Sequence, residues 1–251
     1  MKKSIALGVA ATALMMANAA HAQSGYVGLS YLNTDGGGSS DLDTTALSGG
    51  LLLGDNVQIN AHYANLDASS SGDYWGIEGH LFMRNDRHMI GGFVSYDTID
   101  IGSYVDEWAI GFGGQLYTGN TTWSGSLGYA DTDDAVQNTS LDLEARHFVS
   151  DNFSFQGNIG GGSLEFPGSD DDYTSYGLGA EVQLSGAPVS FHGGWQRIDS
   201  SGTEIDALGI GARWNFGGGT LIERNRSGAS LQRRNPTYLE LLFGSGGPTP
   251  R

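Results

Sequence analysis

Between Gly25 and Phe216, apolar side chains fall on every second position in twelve successive runs of about ten residues. A side-chain period of two is that of a β-strand, whose successive residues point to opposite faces. Between the runs, acidic stretches alternate with tight turns such as Gly54-Asp55-Asn56, Thr118-Gly119-Asn120 and Ser150-Asp151-Asn152. An even number of strands joined by long and short connections in turn is the plan of an up-and-down barrel. No run of ~18 apolar residues offers a membrane-spanning helix. The expected fold is therefore all-β, an antiparallel up-and-down transmembrane β-barrel of twelve strands. Ten or fourteen strands stay open, because a hairpin around residues 97–108 can be split or merged. Residues 23–216 spread over twelve strands allow roughly 16 residues per strand and connection, which suits spans of ~9–11 residues.

A soluble β-sandwich also alternates, so the character of the two faces has to decide. One face carries aromatic residues at the long-loop end: Tyr31, Tyr63, Trp75, Tyr96, Trp108, Tyr129, Tyr176 and Trp195. A sparser ring of Trp123, Phe153, Phe155, Phe191, Trp214 and Phe216 lies at the short-turn end. Two aromatic girdles flanking an aliphatic band mark the boundaries between lipid and water. The opposite face is polar and rich in glycine. Burying Glu78, Glu107, Glu144 and Glu181 in a dry core would cost on the order of several kcal/mol each, whereas a wet lumen tolerates them.

The ends of the chain differ from this body. Lys2 and Lys3, the apolar stretch Ile5 to Met16 and the small-residue motif Ala20-His21-Ala22 read as a cleaved export signal over residues 1–22. There is no cysteine, so neither disulfides nor a lipidated N-terminus is expected. Residues 23–216, the barrel, hold 26 acids against five arginines, a net charge of −21. Such a body is a poor partner for nucleic acid, whose phosphates need Lys and Arg. Residues 217–251 form a basic tail, expected to be periplasmic, with five arginines and two glutamates. The plain reading is a flexible extension; the sharper one is a plug folding back on the barrel, or a contact with peptidoglycan or an inner partner. Thr237 to Phe243 has the pattern of a short strand.

With its signal ending Ala20-His21-Ala22, its serial hairpins and the segment Gly209-Ile210-Gly211-Ala212-Arg213-Trp214-Asn215-Phe216, the chain resembles bacterial outer-membrane β-barrel proteins of porin-like type. The resemblance implies location in the outer membrane and insertion by the barrel-assembly machinery. Gly211, Trp214 and Phe216 would carry the terminal-strand assembly signal. Two departures stand out: Gly209 takes a position that is usually polar, and 35 residues follow Phe216.

The acidic loops, Asp131 to Asp134 and Asp170 to Asp172 among them, match no EF-hand spacing, so no dedicated metal site is expected. Loose calcium or magnesium bridging to lipopolysaccharide is the expectation there, with a change in heat stability on EDTA treatment as its signature. No catalytic set is legible. Outward mid-strand positions lack Ser and His, His147 and Ser150 have no third member, and His62, His80 and His192 sit on separate strands. By strand parity the inward charges are Glu78, Glu107, Asp142, Glu144, Arg146, Glu181 and Arg213. Twelve strands exceed the eight at which side chains fill a barrel, and inward glycines at 28, 76, 111, 113, 177, 179, 209 and 211 would clear further space. Five inward acids against two bases lower the barrier for positive ions. The expected function is passive, cation-preferring diffusion of small solutes through a monomeric barrel. The alternative is a sealed barrel serving as an adhesin or envelope-structural protein.

Overall fold

The computed structural model describes residues 24–36, 42–67, 71–100, 102–133 and 136–231. The expected export signal at 1–22 and the strand-like stretch at 237–243 lie outside the described residues. Twelve strands follow one another: β1 (Ser24–Asp35), β2 (Leu42–Leu53), β3 (Val57–Asp67), β4 (Ser71–Arg84), β5 (His88–Asp100), β6 (Tyr104–Thr118), β7 (Thr121–Thr132), β8 (Gln137–Ser150), β9 (Phe153–Phe166), β10 (Ser169–Gln183), β11 (Val189–Ser200) and β12 (Thr203–Phe216). Each pairs antiparallel with its chain neighbours, and β1 closes the ring on β12 in register from Gly25 opposite Phe216 to Asp35 opposite Asp206. The hairpin around residues 97–108 is single, with Asp97 opposite Glu107 and Asp100 opposite Tyr104, which fixes the strand number at twelve.

The two faces separate as the alternation requires. Leu81 is 69% exposed, Ile110 50%, Leu143 50% and Leu178 65%, all on the outside of the ring. For side chains this apolar, such exposure fits a hydrocarbon surround rather than water. A bulge between Phe148 and Ser150 shifts the β8–β9 register, pairing Ser150 with Phe153 after Phe148 with Ser154.

The expected contrast between long loops and tight turns takes a different form. Asp170 to Asp172, read as loop, belong to β10 and pair with Ser163 to Glu165 of β9. The β9–β10 connection is the pair Pro167-Gly168, and the β11–β12 connection is Ser201-Gly202, both residues of which have positive φ. Acidic residues therefore lie on strands running past the Tyr/Trp girdle. Their alternation is masked because both faces there are polar or carry small residues.

The interior is layered. At the girdle end, inward apolar residues form two clusters, Ala64, Leu66, Tyr74 and Ile99 on one side and Val136, Leu164, Tyr173 and Ile198 on another. The middle holds the charged residues. At the short-turn end Tyr26, Leu52, Phe82, Met89 and Tyr117 pack with Ala229 and Leu231, which come from beyond β12. The uniformly polar inward face expected from the sequence is thus confined to the central layer. Strands that protrude from a bilayer lose the support of lipid and need an apolar core of their own.

Gly217, Gly218 and Gly219 all have positive φ, so the chain reverses sharply after β12. It then forms α1 (Leu221–Ser227), opened by a capping box in which Thr220 accepts from the Glu223 amide and Glu223 accepts from the Thr220 amide. The described part of the tail is an ordered element across the short-turn mouth, in contrast to a flexible extension.

Candidate functional site

The outward aromatics sit at one level of the barrel and touch across strands. Ring centroids lie 5.9 Å apart for Trp75 and Tyr96, 5.6 Å for Trp108 and Tyr129, and 5.7 Å for Tyr176 and Trp195. Their polar atoms point to carboxylates near the girdle-end rim. Tyr31 donates to Asp43 at 2.6 Å, Tyr63 to Asp73 at 2.6 Å, and Trp195 to Asp206 at 2.9 Å. An apolar ring body with a wet, hydrogen-bonded tip is what a lipid–water boundary selects. Trp214 and Phe216 face outward on β12, while Gly211 faces inward, where a Cβ would collide with the His192 ring. Phe216 packs on Leu51 and Ala61, across Gly25 of β1.

Inside, strand parity places every expected charge on the inner wall: Glu78, Glu107, Asp142, Glu144, Arg146 and Glu181 are buried and Arg213 is half-buried. Arg146 draws the central group together. Its guanidinium donates to Gln156 at 2.6 Å and lies 3.9 Å from Glu144 and 3.7 Å from Glu181. Arg213 instead lies over the Tyr26 ring at 4.3 Å. A second group joins Asn60, Glu78 and His80, with Asn60 donating to Glu78 at 2.8 Å and His80 in contact with the same carboxylate. A third has Asp97 accepting from Tyr74 at 3.0 Å and lying 3.2 Å from His62. Asp97, absent from the expected inward charges, faces inward on β5, where the alternation continued past Tyr96 places it.

Charge is graded along the axis. Arg84, Arg146 and Arg213 lie in the short-turn halves of their strands, whereas Asp97 and Glu107 lie toward the girdle end. The inward glycines do not open a path in the expected way. A Cβ at Gly76 would strike Asp97 and His62, at Gly111 the Phe93 ring, at Gly177 Asn158, and at Gly179 Gln156. The space they free is taken by neighbouring inward side chains. Among the described residues the interior holds a small cavity of about 40 Å³ beside His80, Phe93, Ser126 and Leu231. A concavity of about 1330 Å³ has a predominantly apolar lining that includes Ile90, Phe112, Leu127 and Leu178 of the outer face, with Glu144 and Asn158 also at its edge.

Sequence reasoning missed the mouth. Leu221 donates its amide to Asn152 at 3.2 Å and Ile222 to the Asp151 carbonyl at 3.1 Å, so α1 hangs from the β8–β9 turn. Thr122 donates to Asn225 at 2.7 Å, Arg226 bonds the Gly119 carbonyl, and Arg84 donates to the Gly228 carbonyl at 3.1 Å. Arg224 is turned inward, and burial pushes its guanidinium down to about 10 against the pull of Glu181, with Arg213 and Arg146 pushing the same way as burial. The Thr220-Leu221-Ile222-Glu223 spacing, a capping-box signature, was the available signal. Among the described residues no group of three or more His, Asp or Glu side chains is arranged to hold a metal ion.

The sequence matches no protein-family model and no curated protein. Solved structures do match in shape. The NanC porin aligns with a TM-score of 0.58 at 9% identity, covering 74% of this chain and 98% of that one. The KdgM porin in complex with disordered oligogalacturonate aligns at 0.54 and 7% identity, covering 73% and 97%. The translocator domain of the autotransporter NalP from Neisseria meningitidis aligns at 0.50 and 14% identity, covering 76% and 86%. The fold is that of the porin-like outer-membrane β-barrels. At such identities the likeness speaks for architecture, and the chemistry of the interior has to be argued from this chain's own residues.

Proposed function

We propose that this protein resides in the bacterial outer membrane and lets small solutes diffuse passively, with a preference for cations. One observation carries the reading. An apolar exterior surrounds a closed ring whose interior presents Glu78, Asp97, Glu107, Asp142, Glu144 and Glu181 against Arg146 and Arg213, with Arg84 and Arg224 at the short-turn mouth. In a dry scaffold each ionised group would cost on the order of several kcal/mol, so this wall is better accounted for by a hydrated path. The excess of carboxylates lowers the barrier for positive ions. The oligogalacturonate named with KdgM is an anionic oligosaccharide; an interior with this charge balance would repel such a solute, and we assign neutral or cationic ones. Export through residues 1–22, insertion by the barrel-assembly machinery through Gly211, Trp214 and Phe216, contact with lipopolysaccharide and a monomeric state belong to the same reading. No enzymatic role is assigned.

The experiment is single-channel recording in planar bilayers under a salt gradient. Defined unitary steps with a cation-selective reversal potential are expected. In the quadruple variant Glu78→Gln, Glu107→Gln, Glu144→Gln, Glu181→Gln that potential should move toward zero, and an unchanged value rejects the acidic lining. A second reading, a non-conducting adhesin or envelope-structural barrel, is favoured by α1 and Ala229 to Leu231 standing in the short-turn mouth. Electrical silence from correctly folded protein, with the tail removed as well as present, selects it.

A further inference from the structure

The chain from Thr220 to Leu231 crosses the short-turn mouth from wall to wall. In the closed ring β7 lies six strands from β1 in either direction, so the two stand opposite each other. Thr122 of β7 donates to Asn225 at 2.7 Å. Four residues on, the Ala229 amide donates to Ser24 of β1 at 3.2 Å. Contacts continue on both sides of this span. Gln183 of β10 donates to the Gly219 carbonyl at 3.0 Å. The Leu231 amide donates to Gln58 of β3 at 3.1 Å, and its carbonyl accepts from Asn60 at 2.8 Å. Ala229 and Leu231 also pack on Tyr26, Leu52, Phe82, Met89 and Tyr117, so backbone and apolar side chains together fill the mouth.

We propose that Thr220 to Leu231 is a hinged strap that closes the short-turn mouth and lifts to admit solute, an inference that rests on the channel reading above. The hinge is Gly217-Gly218-Gly219, a run of positive φ that only glycine adopts freely, placed just after β12 leaves its ladder at Phe216. The strap does not hold itself. With seven residues, α1 is shorter than the ~12–15 a helix needs to persist alone in water, so its order comes from the mouth. Its anchors also lie outside the sheet ladder. Thr122, Ser24, Arg84 and the Gly119 carbonyl each bond the strap without giving up a strand pairing, so it can lift while the barrel stays closed. Charge leaves it poised: Glu181 draws Arg224 inward, whereas Arg146 and Arg213 repel it.

The chain has no cysteine, so Ser126→Cys supplies a single reporter thiol on the inner wall of β7, beside the small cavity that Leu231 also lines. Leu221→Glu, Asn225→Ala and Leu231→Glu together detach the strap through its own residues and leave every barrel strand unaltered. The full-length reporter protein, with and without these three changes, is reconstituted and treated with a cationic methanethiosulfonate. Parallel samples receive trypsin, which cuts after Arg224 and Arg226. The detached variant should be cut, and its thiol modified, roughly tenfold faster. No gain in cutting would show that these contacts do not hold the strap. Faster cutting without faster labelling would show that the strap does not close the mouth. Either result overturns the proposal. Planar-bilayer recording of the same two proteins separates it from the channel reading, with open times expected to lengthen severalfold in the variant. Faster labelling with electrical silence in both keeps the strap and rejects the channel. Identical unitary steps with equal labelling keep the channel and reject the strap.

Discussion

At the scale of the residue, the interior is governed by how little room a glycine leaves. Gly111 faces inward on β6, and a Cβ there would lie 2.5 Å from the Leu127 carbonyl oxygen and 2.5 Å from two carbons of the Phe93 ring. The ring can turn, but the carbonyl belongs to the β7 backbone and cannot yield without disturbing the ladder. Gly111→Ala is therefore expected to destabilise the barrel by about 1–3 kcal/mol, the usual cost of overpacking. Gly79, on the outer face of β4, meets only Val94 at 4.0 Å, and Gly79→Ala should stay within about 0.5 kcal/mol of the parent. Urea unfolding in lipid vesicles measures both. Equal losses would mean that the inward glycines do not hold space for their neighbours. Sequence parity located these glycines on the correct face but assigned their space to solute, because period two says where a side chain points and nothing of what its cross-strand neighbours reach.

At the scale of the element, strands were easier to read than their ends. Leu141 and Leu143 against Asp142 and Glu144 leave β8 no other fold. The alternation fades where β5 and β10 run through Asp97 to Asp100 and Asp170 to Asp172, since both faces are hydrophilic beyond the girdle. Inversion of the inner face to Leu66, Tyr74 and Ile99 was likewise hidden, because an apolar residue on the inner face reads as a break in period. The tail was illegible for another reason: its position rests on scattered long-range hydrogen bonds to Asn152, Thr122, Arg84 and Gln58, contacts that no local pattern announces. Only its cap is local. Thr220→Ala removes the hydroxyl that accepts from the Glu223 amide. The loss should be about 1 kcal/mol of α1 stability, or roughly fivefold faster proteolysis within residues 217–231 if cleavage follows local opening. The barrel's own unfolding midpoint should not move. A parallel fall in both would show α1 to be part of the barrel's cooperative unit rather than a separately opening cap.

At the scale of the whole molecule, stability depends on which medium each face meets. The ring exposes Leu81, Ile110, Leu143 and Leu178 on one side and keeps Glu107, Asp142, Glu144 and Glu181 on the other, so one protein presents hydrocarbon-like and water-like surfaces a single residue apart along each strand. Leu143 on β8 lies between the two aromatic levels: its strand passes Thr139 opposite Tyr129 of the upper girdle and Ala145 opposite Trp123 of the lower. Leu143→Arg would put a guanidinium near the middle of the hydrocarbon, at a cost of about 2–4 kcal/mol, while the same change at Leu53, the last residue of β2 beside the Gly54 turn, should cost roughly 0–1 kcal/mol. The comparison is made by urea titration of both variants folded into vesicles of one lipid composition. A soluble barrel would show no such dependence on depth, because water would meet both arginines equally. A penalty at Leu143 that exceeds the one at Leu53 is therefore evidence for the bilayer itself, and equal penalties would remove the membrane from the account and with it every argument about a lumen.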